Sequence, residues 1–244
     1  SGTAMVLVGT KAQGQGHETL YKQILNERLG LDPKDVKFID GDTDRVAFGM
    51  GTNGSRSTVI GGGAAWTAAD RIIEKGRKIA AHVLEASVED VEFKAGQFSV
   101  RGTDKTIGIK EVAKSSFVLT KLPPGLEGGL FETATYAPKS ETWPNASHAC
   151  EVEIDPGTGE VQVVGYWVVD DVGTMINPVG VKGQIHGGVA QGLGQALMER
   201  VVYDPDSGQL LTGSFMDYAM PRAVDMPHLE IENNSVPTPS HPMG

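Results

Sequence analysis

Short apolar runs and helical patterns alternate in the first half of the sequence. The apolar run at residues 4–8 lies between Gly2 and Gly9 and predicts a buried strand. From Glu18 onward, leucine and isoleucine recur at helical spacing, and residues 36–39 form a second strand pattern. A glycine-rich turn at residues 10–19 is therefore expected to join a strand to a helix.

A long amphipathic helix is predicted after a second glycine-rich loop. Residues 49–63 hold too much glycine for a packed element, which indicates a loop that leads into a helix. Alanine and isoleucine then occupy one face of that helix for about six turns, with charged residues opposite. Residues 91–93 and 97–100 predict a hairpin, and residues 106–116 a short helix.

The pattern becomes mainly β beyond residue 129. Strands are predicted at 130–136, 149–154 and 160–169, followed by a helix at 179–199 that contains several glycines. Each glycine in a helix costs roughly 0.5–1 kcal/mol relative to alanine. This helix is therefore expected to gain from the close approach of another backbone or a ligand, and tight helix–helix packing is the simplest alternative.

These elements predict an α+β fold with two sub-regions of mixed β-sheet packed with long helices. The first is expected at residues 1–121 with both glycine-rich loops, and the second, β-rich one at 130–244 with the 179–199 helix. Residues 122–129, rich in proline and glycine, are the predicted linker. The sequence lacks an initial Met and stops in a proline-punctuated loop, so a domain cut from a longer chain is expected.

Composition and charge argue against several classes of function. The net charge of −10 argues against nucleic acid as a partner, because phosphate binding needs clustered Lys and Arg. The sequence has neither a signal peptide nor an apolar run near the roughly 18 residues of a membrane span. Cys150 is the single cysteine, which argues against a disulfide framework. Together these features predict a cytoplasmic protein.

The turn at residues 10–19 has the features of a site for phosphate or another electron-rich group. Its glycines allow a ligand to approach the backbone, and the helix start offers unpaired N–H groups. Side chains in the turn add donors and acceptors, and residues 55–58 form a second cluster of anion ligands near a helix start. For that second cluster, the alternative is a loop capped by Ser and Thr, with Arg56 in solvent.

Three common motifs differ from these segments in detail. The Gly-Lys-Ser/Thr of a P-loop is absent. Thr19 stands where a dinucleotide-binding fingerprint has its third Gly or Ala. Tyr21 stands where a zinc-binding helix that begins His-Glu would have its second His.

Four segments, in matching order and spacing, resemble the molybdenum hydroxylases, the family of xanthine dehydrogenase, aldehyde oxidase and aerobic carbon monoxide dehydrogenase. They are QGQGHET at 13–19, GSRST at 54–58, DVGTMINP at 171–178 and GQIHGGVAQG at 183–192. The resemblance extends from about Ala4 to Gly244. It implies the second molybdopterin-binding domain of the large subunit, in bacterial forms that carry molybdenum in molybdopterin cytosine dinucleotide.

The resemblance also implies which residues bind the cofactor. Gln15 is similar to the glutamine that hydrogen-bonds an oxo ligand of molybdenum, and residues 55–58 to the loop that holds the cytidine and pyrophosphate. No catalytic or metal-ligating residue is carried over. The cofactor-binding residues implied are Gln13, Gly14, Gln15, Gly16, His17, Glu18, Thr19, Ser55, Arg56, Ser57, Thr58, Asp171, Gln184 and Gly188.

The implied parent enzyme hydroxylates a carbon centre of a small-molecule substrate with oxygen from water, or oxidises CO. Its implied partners are the upstream cofactor domain of the same subunit and iron–sulfur and FAD subunits or domains. In this family a Lys-Gly-x-Gly-Glu segment, which carries the catalytic base, follows a Pro-x-Gly loop. The sequence reaches Pro242-Met243-Gly244, so the fragment is expected to be inactive alone. The alternative is a non-catalytic assembly domain whose glycine-rich helices serve packing.

Overall fold

Residues 2–244, the part of the chain that the computed structural model describes, contain four α-helices and eight strands in three sheets. The chain divides into two compact units. The first runs to Glu141 and includes Pro239–Gly244, and the second is Thr142–Thr238. The predicted linker at 122–129 lies inside the first unit.

The first unit contains a parallel strand pair and an antiparallel three-stranded sheet. Strand β1 pairs with β2 in parallel, and β4 lies between β3 and β5. A π-helical turn, called the π-turn below, runs directly into the longest helix. The elements are β1 (Ala4–Val8), α1 (His17–Leu29), β2 (Val36–Asp40), the π-turn (Ser57–Gly62), α2 (Gly63–Leu84), β3 (Val91–Lys94), β4 (Gln97–Val100), β5 (Thr106–Gly108) and α3 (Ile109–Ser115).

The core of the first unit forms around helix α2. This helix contacts α1, α3 and all three strands of the antiparallel sheet. Its apolar face buries Ile73 and Ile79 in one core with Leu25 of α1 and Phe98 of β4. Burial of a side chain of this size contributes about 1.5–3 kcal/mol, so the predicted apolar stripe of α2 accounts for its central position.

The second unit is a mixed sheet with one long helix. Strand β6 (Asn145–Ile154) pairs antiparallel with β7 (Val161–Asp171), and β8 (Leu229–Asn233) pairs with β7 in parallel. Helix α4 (Pro178–Leu197) begins after Asn177, whose side chain accepts a hydrogen bond from the Gly180 N–H at 2.6 Å. Its core is small and centres on Val168, Val189 and Leu229.

The structure confirms the predicted α+β fold, and β1, α1, β2, the β3–β4 hairpin and α4 lie where the sequence pattern predicts them. None of the helices described in residues 2–244 has the length and apolar character needed to cross a bilayer.

Two local predictions are wrong. Residues 130–136 form no strand; instead Arg71 of α2 donates to the Thr133 carbonyl, and the Tyr136 ring packs against Gly63. Contacts with α2 thus take the place of pairing in a sheet. The predicted helix at 106–116 begins as strand β5, because Ile107 pairs with Phe98 across the sheet before α3 starts.

Gly30 ends α1 in a left-handed conformation at a site of close backbone contact. Its φ is 65°, and its N–H donates to the Asn26 carbonyl at 2.8 Å. A Cβ at Gly30 would collide with the backbone of Ala95 and Gly96 in the β3–β4 turn. Two constraints therefore require glycine at this residue.

The Gly30→Ala variant is expected to lose more stability than a matched variant that has only the conformational constraint. Gly102 has φ 74°, and a Cβ there would meet no atom within 4 Å. Gly102→Ala should therefore cost only the left-handed strain of about 1–2 kcal/mol. Gly30→Ala should cost roughly 1–3 kcal/mol more, as overpacking does. Urea denaturation measures both free energies of unfolding, and equal losses would contradict the close-contact explanation.

Candidate functional site

The start of helix α1 is an open glycine turn. Gly14 and Gly16 have φ values of 110° and 79°, and Gly16 is the N-cap residue without a capping side-chain hydrogen bond. A Cβ at either glycine would meet no atom within 4 Å. The N–H groups of the first helical turn thus lack a capping side chain and lie beside free space, which is the geometry that suits an anion.

His17 opens α1 with a buried imidazole. The residue is 3% exposed, and its Nδ1 has no hydrogen-bond partner among the described residues. Burial lowers the pKa of His17, while the nearby Asp40 carboxylate acts in the opposite direction. A buried ring nitrogen without a partner is costly unless a ligand or water supplies one. His17 therefore places a buried ring nitrogen without a hydrogen-bond partner among the described residues at the first residue of α1.

Gln13 and Gln15 are bonded to each other within the turn. The Gln13 N–H donates to Gln15 Oε1 at 2.5 Å, and Gln15 Nε2 donates to Gln13 Oε1 at 3.1 Å. Glu18 and Thr19 are on the first turn of the helix, where Glu18 pairs with Lys22 at 2.7 Å. The role toward a metal-bound oxygen that the resemblance implies for Gln15 stays a prediction.

The two glycine-rich loops of the first unit lie side by side. The Lys11 N–H donates to Thr52 Oγ1 at 3.0 Å, and Thr52 Oγ1 lies 3.1 Å from Ser57 Oγ. The buried Tyr21 hydroxyl donates to the Ser57 carbonyl at 3.3 Å and lies 3.1 Å from Thr10 Oγ1. Residues 10–19 and 51–58 are thus joined by direct hydrogen bonds.

Residues 55–58 form the end of the second loop and the start of the π-turn. Ser55 is exposed with φ 54°, Arg56 is half-buried as the N-cap residue, and Thr58 is exposed. Ser57 is buried in the hydrogen-bond chain described above. The structure therefore brings the two candidate anion clusters together. Ser57 takes part in the hydrogen bonds that join them, and Ser55, Arg56 and Thr58 remain accessible to solvent.

Asp40 contacts the candidate site, although the motifs do not include it. Its carboxylate accepts from the Ala12 N–H at 2.6 Å and from Lys11 Nζ at 3.3 Å. Because β1 and β2 are parallel, the turn after β1 and the last residue of β2 meet at one edge of the pair. No short motif signals this contact, because it depends on the parallel pairing of β1 with β2.

Asp171, Gln184 and Gly188 lie in the second unit. Asp171 Oδ1 accepts from the backbone N–H of Gly173 and of Val236, both at 3.0 Å, and these bonds lower the pKa of Asp171. Gln184 and Gly188 are exposed on α4. A Cβ would meet no atom within 4 Å at four glycines of this helix, which are Gly183, Gly187, Gly188 and Gly192. Packing within the second unit therefore does not explain these glycines.

Residues 2–244 contain no group of three or more His, Cys, Asp or Glu side chains that could hold a metal ion. A family model described as a molybdopterin cofactor-binding domain matches residues 1–227. The chain belongs to this family.

This molybdopterin cofactor-binding domain is 40% identical, over its whole length, to the carbon monoxide dehydrogenase large chain of Hydrogenophaga pseudoflava. Among solved structures, it is similar to a Cu,Mo-CO dehydrogenase in the carbon monoxide reduced state, with a TM-score of 0.92, 39% identity and 98% of the domain covered. It is also similar to quinoline 2-oxidoreductase from Pseudomonas putida 86, with a TM-score of 0.90, 40% identity and 98% of the domain covered. The domain spans 30% of the length of each of these three proteins.

The burial of His17 predicts a pH-dependent stability. Because burial lowers its pKa in the folded chain, the unfolded chain takes up a proton first as the pH falls. The free energy of unfolding should therefore fall as the pH drops below about 6.5, the ordinary histidine pKa, toward the lower folded value. Urea denaturation at about pH 7.5 and about pH 5.5 measures this loss.

The His17→Gln variant should show a smaller loss of stability between these two pH values than the original chain, since it lacks this proton uptake. His82→Gln is the matched control, because His82 is exposed on α2. A His17→Gln variant with the full pH dependence would show that other titratable groups cause it.

Proposed function

We propose that this domain binds the phosphate-bearing end of a molybdopterin cofactor, as molybdopterin cytosine dinucleotide with molybdenum. The observation that carries the proposal is the unpartnered, buried Nδ1 of His17 beside the open, uncapped start of α1. Helix N-termini favour anions through their free N–H groups and dipole. The residues present therefore fit a large polyanionic group.

The proposal assigns roles to both loops of the first unit. The turn at Gly14 and Gly16, with the first N–H groups of α1, would hold phosphate oxygens. Arg56 would hold the pyrophosphate and cytidine end, with hydroxyls from Ser55 and Thr58. The charged guanidinium gives hydrogen bonds to phosphate that are roughly twice as strong as neutral ones. Gln15 would bond an oxygen on the molybdenum.

For the second unit, the proposal assigns Asp171, Gln184 and Gly188 to cofactor binding, on the strength of the resemblance. The four open glycines on α4 support it, because they make no close packing contact within the second unit that would offset their cost to the helix. The Asp171 carboxylate would act through the backbone that it holds, since its Oδ1 accepts two N–H groups.

We further propose that the parent protein is a cytoplasmic molybdenum hydroxylase or CO dehydrogenase that oxidises a small molecule. Bound molybdenum cofactor would supply the two-electron chemistry at carbon. The upstream cofactor domain of the same subunit and iron–sulfur and FAD subunits or domains are the proposed partners. The relative from Hydrogenophaga pseudoflava, named as the large chain of a carbon monoxide dehydrogenase, supports this assignment.

The second candidate function is non-catalytic assembly. It is favoured by the exposure of all ten residues of β6, which leaves an edge strand open to another chain. In that case the glycines of α4 would accept a partner helix instead of a cofactor.

Charge reversal at Arg56 separates the two candidates. In the full-length parent polypeptide, Arg56→Glu should lower the molybdenum and cytidine-bearing pterin per chain by about tenfold or more, since charge-assisted bonds contribute roughly 1.5–3 kcal/mol. Metal analysis and CMP release after hydrolysis measure this content. Lys78→Glu, the same charge change on an exposed residue of α2, is the matched control and should leave the content unchanged.

Two other results would count against cofactor binding. Full cofactor content in the Arg56→Glu variant would contradict the assigned role of the loop. Loss of folding with Arg56→Glu, and not with Lys78→Glu, would favour packing as the role of this segment.

A further inference from the structure

The segment Pro239–Gly244, called the return segment below, packs in the first unit although the preceding residues belong to the second. It contacts the π-turn. His241 Nε2 lies 2.9 Å from the Val59 carbonyl oxygen, and Met243 Cε would lie 2.8 Å from a Cβ at Gly62. One short segment thus covers the turn that follows the candidate anion cluster.

His241 makes a hydrogen bond with each of its ring nitrogens. The Met243 N–H donates to Nδ1 at 3.2 Å, so Nδ1 carries a lone pair and no proton. Nε2 therefore carries the proton and donates it to the Val59 carbonyl. The imidazole thus bridges its own segment and the π-turn and uses both ring nitrogens to do so.

Tyr136 holds the return segment from a second direction. Its hydroxyl donates to the Ser240 carbonyl at 3.3 Å, and its ring meets the His241 ring edge-on at 5.2 Å between centroids. The same ring lies against Gly63, where a Cβ would be 2.5 Å from Cδ1. Gly62 and Gly63 thus leave room for Met243 and Tyr136, and a larger residue at either position would force the neighbouring side chain to shift.

The π-turn accepts a hydrogen bond from a residue outside its own helix. Its Val59 carbonyl accepts the Gly63 N–H within the helix and the His241 N–H from outside. π-Helical turns are rare and occur often at functional sites. At the other end of the turn, Ser57 bonds to Thr52 and to Tyr21. The return segment is therefore connected to the loop at 51–58 through one turn of helix.

We propose that the return segment positions the π-turn and, through it, the accessible residues Ser55, Arg56 and Thr58, with His241 as the main positioning residue. The structural half of this proposal stands on the contacts above. The cofactor half rests on the proposed function, since it supposes that these residues hold the cofactor.

Hydrogen exchange tests the structural half in the full-length polypeptide. His241→Ala should raise the exchange rate of amides in residues 57–63 by about fivefold, the change in local opening that corresponds to one lost hydrogen bond. His241→Gln, whose amide can still donate to Val59, should recover part of the protection. His228→Ala is the matched control, because His228 lies in the second unit. Unchanged exchange in His241→Ala would overturn the proposal.

The pterin content of the same variants tests the cofactor half. His241→Ala should lower it severalfold, and His241→Gln should restore part of it. If Arg56→Glu lowers the pterin content and His241→Ala does not, the positioning role is wrong while the proposed function stands. If neither variant lowers it, the proposed function fails, and the exchange data alone decide the structural half.

If His241→Ala does not fold, hydrogen exchange in Tyr136→Phe still tests the structural half of the proposal. This variant removes only the hydroxyl bond to Ser240 and leaves the ring against Gly63. It should raise exchange at residues 57–63 with a smaller change than His241→Ala, and wild-type exchange in it would overturn the contribution of Tyr136.

Discussion

The hydroxyl of Tyr21 joins the three segments from which the candidate site is built. This fully buried side chain lies on α1, and its hydroxyl contacts Thr10 in the turn after β1 and the Ser57 carbonyl in the π-turn. Burial raises the pKa of Tyr21, so the hydroxyl keeps its proton and donates. Gly61 lies against this hydroxyl, where any side chain would collide with it. Together with the Lys11 N–H bond to Thr52 Oγ1, this buried group fixes the relative placement of both glycine-rich loops.

Glycine has two different uses in this chain, and the structure separates them. Gly61, Gly62 and Gly63 each leave room for a particular side chain of the first unit, so their role is close packing. At Gly14 and Gly16, and at four glycines of α4, a side chain would meet open space. No neighbouring atom of their own unit requires glycine at these positions. This is consistent with the approach of a ligand to the turn, and it supports the proposal that a ligand also approaches α4. The amino-acid sequence alone does not distinguish these two groups of glycines.

Local patterns predicted elements well where the apolar periodicity was strong, and failed where tertiary contacts replaced pairing. The stripe of α2 and the alternation at the end of β7 correspond to buried faces. Residues 130–136 have a strand-like pattern, yet no strand pairs with them, and the Thr133 carbonyl accepts a hydrogen bond from Arg71. A strand needs a neighbour, and sequence periodicity carries no information about whether a neighbour is present.

The sequence by itself determined the family and the local character of the glycine turn at residues 10–19, because strand, glycine turn and helix start are encoded by neighbouring residues. The tertiary structure alone decided that residues 51–58 lie against that turn, that Asp40 holds its backbone, and that His17 Nδ1 is buried without a partner among the described residues. It also decided that His241 bonds to Val59. These contacts join residues far apart in the chain. Their formation depends on the parallel pairing of β1 with β2 and on the packing of α1 against α2, which no short motif specifies.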